Sequence, residues 1–96
     1  MLTGKQKRFL RAKGSVIDPV VQIGKAGVVG SVAVSTEQAL LARELVKVRV
    51  LRNCPQEPTA AIAALAAAVG AEVVQVIGRN GLLYKRNPEK SKIELP

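Results

Sequence analysis

The spacing of apolar and polar positions changes period several times along the chain, and each change marks an element. Leu45 to Leu51 alternates most cleanly: Val46, Val48 and Val50 point one way, Lys47 and Arg49 the other. That pattern predicts a strand with one buried face and one basic face. Val20 to Ile23 and Glu72 to Ile77 are short β-branched runs and read as two more strands. Asn80-Gly81 is the strongest short hairpin signal, so Leu82 to Arg86 is expected to return as a fourth strand. Between the strands the period is helical. Thr3 and Gln6 fit a capping box that opens a helix over about residues 3–13, with Gly14 as its stop. Val29, Val32, Ala33, Thr36, Ala39, Leu40 and Arg43 place a second helix over 29–44. Ile62, Leu65, Ala66 and Val69 place a third over 59–69, with Pro58 suited to its first turn and Gly70 to its end.

The order α-β-α-β-α-β-β predicts one two-layer α/β domain over residues 1–96, with a four-stranded mixed sheet. Right-handed crossovers put helices 29–44 and 59–69 on one sheet face and make the first three strands parallel. The other face is then free to carry Lys47 and Arg49. The expected core is Val46, Val48, Val50, Val74, Val76, Ile62 and Leu65. Residues 87–96 read as a basic tail with a short edge at Ile93–Leu95.

Charge sharpens this picture. Fifteen basic residues stand against seven acidic ones, a formal +8, and the excess lies at the two ends. Lys5, Lys7, Arg8, Arg11 and Lys13 fall in a first segment without an acid, while residues 15–78 are neutral overall. Arg79, Lys85, Arg86, Lys90 and Lys92 outweigh Glu89 and Glu94 at the other end. A small domain this basic points to a polyanionic partner, nucleic acid first. The two ends are expected to fold side by side into one basic surface.

Other functions fall away. No apolar run is long enough to span a bilayer, and the basic first segment lacks the apolar stretch of a secretory signal. The one cysteine, Cys54, excludes an internal disulfide and fits a reducing, cytoplasmic setting, where it reads as a bystander loop thiol. Without histidine there is neither a common general base nor a zinc site. The carboxylates are scattered, so no enzyme, metal, cofactor, small-molecule substrate or membrane partner is expected. Gly24-Lys25-Ala26-Gly27 follows a strand and opens a helix, a place where backbone N–H groups and a positive helix end can meet phosphate. It is neither a Walker A loop nor a dinucleotide fingerprint. Val73 to Gly81 echoes Val20 to Gly27, both strands ending in Gly, base, any residue, Gly. With near-absent aromatics, structured RNA suits the chain better than single strands, and Tyr84 reads as a core-edge residue. A basic adaptor for an acidic protein is the alternative.

Several stretches together resemble a known family. These are Leu2-Thr3-Gly4-Lys5-Gln6-Lys7-Arg8-Phe9-Leu10-Arg11, Pro19 to Gly27, Glu37-Gln38-Ala39-Leu40, Glu44-Leu45-Val46-Lys47-Val48, Gln75-Val76-Ile77-Gly78 and Leu83-Tyr84-Lys85-Arg86. In this order, over about residues 2–95, they resemble the CRM domain (chloroplast RNA splicing and ribosome maturation) in its stand-alone bacterial YhbY-like form. The 52–58 loop departs from the more charged loop of that family. The resemblance implies a fold similar to the C-terminal domain of the third bacterial translation initiation factor. It also implies RNA binding, through the GxxG loop at residues 24–27 and the basic helix at residues 3–13. Family members associate with precursors of the large ribosomal subunit, and plant relatives act in group II intron splicing. Resemblance and charge pattern together make Lys5, Lys7, Arg8, Arg11, Gly24, Lys25, Ala26, Gly27, Lys47, Arg49, Arg79, Lys85 and Arg86 the expected RNA-binding residues, with ribosomal RNA as partner.

Overall fold

The computed structural model describes residues 2–96. Its elements are α1 (Gly4–Gly14), β1 (Pro19–Ile23), α2 (Gly30–Arg43), β2 (Leu45–Val50), α3 (Pro58–Val69), β3 (Glu72–Ile77) and β4 (Asn80–Tyr84). The capping box of α1 is complete: the Gln6 N–H donates to Thr3 Oγ1, and the Thr3 N–H donates to Gln6 Oε1. Pro58 opens α3, and Gly70 closes it in the left-handed conformation.

The sheet order is β1-β2-β4-β3. β1 and β2 are parallel, while β4 is antiparallel to both β2 and β3. Strands β1 to β3 therefore run one way, with β4 inserted between the last two. The tips of β1 and β3 consequently lie at one end of the sheet, as the echoed segments require.

Two details of the β3–β4 hairpin depart from expectation. Ile77 pairs with Asn80, so Gly78-Arg79 makes the turn and Asn80-Gly81 belongs to β4. Gly78 has φ +57°, the conformation a tight hairpin needs at its first central position. Gly81 is needed for a different reason. A Cβ there would lie 2.5, 2.7 and 2.8 Å from three side-chain atoms of the fully buried Ile62. Gly81→Ala is expected to cost about 1–3 kcal/mol through overpacking, read as a lower urea midpoint. An unchanged midpoint would show that Ile62 can give way.

The second departure is a bulge. The β3–β4 register shifts between Val73 and Gln75. The extra residue breaks alternation, so Val73 and Val76 pack on one face and Val74 on the other. Val74 is buried as expected, but in a different core from Val46, Val48, Val50, Ile62 and Leu65.

The main core lies between the sheet and helices α2 and α3, whose Leu40, Ile62, Leu65 and Val69 meet Val21, Ile23, Val46, Val48, Val50 and Leu83. Cys54 is not a loose loop thiol: it is buried at the edge of this core. The opposite face is only partly open. Leu2 and Leu10, from α1 and the residues before it, cover Leu45, Val74, Leu82 and Tyr84, and Ile93 and Leu95 pack alongside. The C-terminal segment forms no edge strand; it straps across this second core.

Candidate functional site

The basic helix α1 is placed by its two buried residues, Leu10 and Gly14, with Gly14 pressed against Leu82. Burying that side turns Lys5, Arg8 and Arg11 to solvent and leaves Lys7 half-buried. Lys13 lies 5.5 Å from the Phe9 ring centroid, which ties its ammonium to the helix surface.

Leu45, Lys47 and Arg49 alternate with the core valines of β2, so all three share the sheet face on which α1 packs. Leu45 lies beneath α1 and is buried. Lys47, farther along, is half-buried beside Gly14 and Ser15, where α1 ends, and Arg49 is exposed. The basic stretch of α1 and the basic side of β2 therefore lie on one side of the molecule.

The Gly24–Gly27 loop sits at the tip of β1, at the Arg49 end of the sheet. It is a tight turn closed by the Gly27 N–H donating to the Gly24 carbonyl at 2.9 Å. Gly27 is buried near Pro55, with φ +74°. Lys25 and Ala26 are exposed at the apex. Helix α2 starts three residues beyond the loop, at Gly30, and its cap residue Val29 supplies no side-chain hydrogen bond. The positive end of α2 is therefore next to the loop rather than part of it.

The remaining three candidate cations are used differently. Arg79 Nε donates to the Val50 carbonyl at 2.8 Å, and Nη2 donates to the Leu51 carbonyl at 2.7 Å. This guanidinium locks the end of β2 to the hairpin tip. Lys85 Nζ donates to the Val69 carbonyl at 2.8 Å, satisfying a carbonyl at the C-terminus of α3. Both cations thus make fold contacts. Arg86 is exposed, but it follows β4 at the end of the sheet away from Lys25. The structure brings α1, Lys47 and Arg49 together on one side. It places the Lys25 loop at the Arg49 end of the sheet, with Ala26 and Gly27 beside Pro55 and beside Ala64 and Ala68 of α3; Lys85 and Arg86 are set apart.

The two chain ends do meet. Gln6 Nε2 donates to the Pro96 carbonyl at 3.2 Å, and Ile93 and Leu95 join Phe9. The residue that organises this contact, Glu44, was not foreseen from its position between helix and strand. It has φ +63° and no exposed surface. Its Oε1 accepts from the Lys92 N–H at 2.6 Å and the Ile93 N–H at 2.8 Å, and its Oε2 accepts from the Asn87 N–H. Burial pushes this carboxyl up, but the Asn87, Lys92 and Ile93 amides and the Ser91 hydroxyl outweigh it and hold the group below its ordinary value. Tyr84 is in the second core, not on the surface. Burial, with the nearby Glu44 charge, raises its phenol.

Among the described residues, no group of three or more His, Cys, Asp or Glu could hold a metal ion, and no helix is long and apolar enough to cross a membrane.

A basic helix packed on one face of a mixed four-stranded sheet, with a glycine loop at the tip of its first strand, defines a recognisable α/β class. The family model for the CRS1 / YhbY (CRM) domain matches residues 2–85, and the chain belongs to that family. It is 46% identical over 96 residues, the whole of both chains, to a Bacillus subtilis protein named "Probable RNA-binding protein YqeI". It is 37% identical over 95 residues to a Haemophilus influenzae protein named "RNA-binding protein", covering 99% of this chain and 95% of that one. The solution structure of the hypothetical protein SAV1595 from Staphylococcus aureus superposes with a TM-score of 0.83 at 43% identity over the whole of both chains.

Proposed function

We propose that this protein is a non-catalytic, cytoplasmic RNA-binding protein that takes structured ribosomal RNA and acts in assembly of the large ribosomal subunit. One observation carries the reading. A helix with five basic residues and no acid lies on the same sheet face as Lys47 and Arg49. A single-sign surface of this kind meets a phosphate backbone by releasing counterions. Membership of the CRM family and the names of its relatives make that polyanion RNA. Lys5, Lys7, Arg8 and Arg11, the 24–27 loop, and Lys47 and Arg49 are the proposed contacts. Arg86 extends them only if the RNA reaches the far end of the sheet.

Lys25 is the clean probe of the loop because it is exposed, whereas Gly27 is buried with a positive φ. Lys25→Ala is expected to weaken two unrelated structured RNAs by a similar factor. It should also lower the salt slope of binding by roughly one, as loss of a phosphate contact does. Anisotropy titrations across salt concentration, with circular dichroism as the folding control, measure this. Unchanged affinity with intact folding would remove the loop from the interface. Crosslinking in cells followed by sequencing tests the ribosomal part: adducts should concentrate in large-subunit precursor RNA, and adducts mainly in messages would overturn it.

A further inference from the structure

Where α1 ends, the sheet is left uncovered, and a recess of about 190 Å³ opens between Gly14 and the strands. Its walls include Lys47 from β2, Gln75 and Ile77 from β3, and Asn80 and Leu82 from β4. Three features of this wall bear on what it can hold. Asn80 Oδ1 is buried and has no hydrogen-bond partner among the described residues. Such an atom bears its desolvation cost uncompensated, and in a folded protein it calls for an explanation. Ile77 is 63% exposed although it lies in a strand. Gln75 places a second carboxamide on the same wall, beside a lysine.

We infer that this recess accepts one unpaired base of the bound RNA, and that adenine fits it best. The inference rests on the RNA-binding reading above and adds to it a site that reads sequence. Each wall feature answers one part of a nucleotide. The exposed Ile77 offers apolar surface to the face of a base. Asn80 and Gln75 offer side-chain amides, each a donor beside an acceptor, and that pair matches the neighbouring amine and ring nitrogen of adenine. The last torsion of an asparagine is soft, so the Asn80 amide can turn its orphaned oxygen toward an entering amine at little cost. Lys47 is placed for the attached phosphate. The recess lies between α1 and Arg49, so a strand held by those cations passes over it. Structured RNA presents such bases in its loops and bulges.

Four RNA hairpins with a common stem and a loop of four identical nucleotides (A, C, G or U) test the inference by anisotropy. The wild-type protein should prefer the A loop by about tenfold, a factor within the usual worth of a bidentate amide–adenine pair. Asn80→Ala should reduce the A loop to the level of the others and leave those unchanged. Lys47→Ala should weaken all four alike. With the wild-type protein labelled with ¹⁵N, the side-chain amides of Asn80 and Gln75 should shift on adding the A loop and stay in place with the U loop. That measurement needs no variant. Equal affinity for the four loops, a preference that survives Asn80→Ala, or unmoved amides would overturn the base site while RNA binding stands. No binding to any of the four at low salt would overturn the RNA-binding reading as well.

Discussion

Glu44→Gln should loosen the C-terminal strap and lower stability by about 2–4 kcal/mol, because hydrogen bonds to a charged acceptor are worth about 1.5–3 kcal/mol each and do not add fully. Glutamine keeps one carbonyl oxygen for the Lys92 and Ile93 amides, but it turns an NH₂ group toward the Asn87 amide, which itself donates. The strap then loses the contact that draws Ile93 and Leu95 onto the second core. Trypsin should cut after Lys90 and Lys92 faster in the variant than in the wild type. Glu44→Ala should be worse. Glu44→Gly should recover about 1 kcal/mol of the alanine loss, since φ at this position is +63° and only glycine adopts it without strain.

The same carboxylate gives a pH dependence of known sign. Its folded-state pKa is lowered, so on acidification the unfolded chain takes up the proton first. The stabilisation is complete above the ordinary value of 4.5 and is lost as pH falls through the folded value. Urea midpoints should therefore drop in the wild type as pH falls below about 4.5, and drop less in Glu44→Gln. Parallel curves for the two proteins, with equal trypsin sensitivity, would mean that the strap is held by its apolar contacts alone.

What the sequence made legible follows from how local each signal is. The capping box of α1 involves Thr3 and Gln6 only, and the alternation of β2 involves its own residues only, so both were readable with their faces. The glycines were readable as positions but not as reasons. Gly14 does end α1, but it lies against Leu82, a contact sixty-eight positions away in the chain. Asn80-Gly81 has the composition of a hairpin tip, but the tip lies two residues earlier, at Gly78-Arg79, and Gly81 instead passes over Ile62. Long-range partners that are backbone groups leave no trace in side-chain patterns. Arg79 and Lys85 therefore read as RNA-binding cations and Glu44 as one of several scattered carboxylates, although all three bond to main-chain atoms. Net charge placed the basic residues at the two ends of the sequence, but it could not say which cations the fold itself would use.

Leu65→Ala is expected to cost about 2–5 kcal/mol. Leu65 has no exposed surface and stands in the middle of α3, in the core shared with Val46, Val48 and Val50. The walls around it favour the upper part of that range. Valines and isoleucines are stiff at their first side-chain torsion, and the alanines Ala61 and Ala66 have none to adjust, so much of this core has little freedom to refill a cavity. With aromatics nearly absent, no large neighbour can swing in either. Against a total of about 5–15 kcal/mol for a domain this size, the variant would be close to unfolding. Its melting temperature should fall by about 10 °C or more. Leu41→Ala on α2 is the matched control. That leucine is 59% exposed, and its loss should stay within about 0.5 kcal/mol. Calorimetry or urea denaturation of the pair separates burial from residue type. Equal losses for the two variants would place the hydrophobic core somewhere other than between α3 and the sheet.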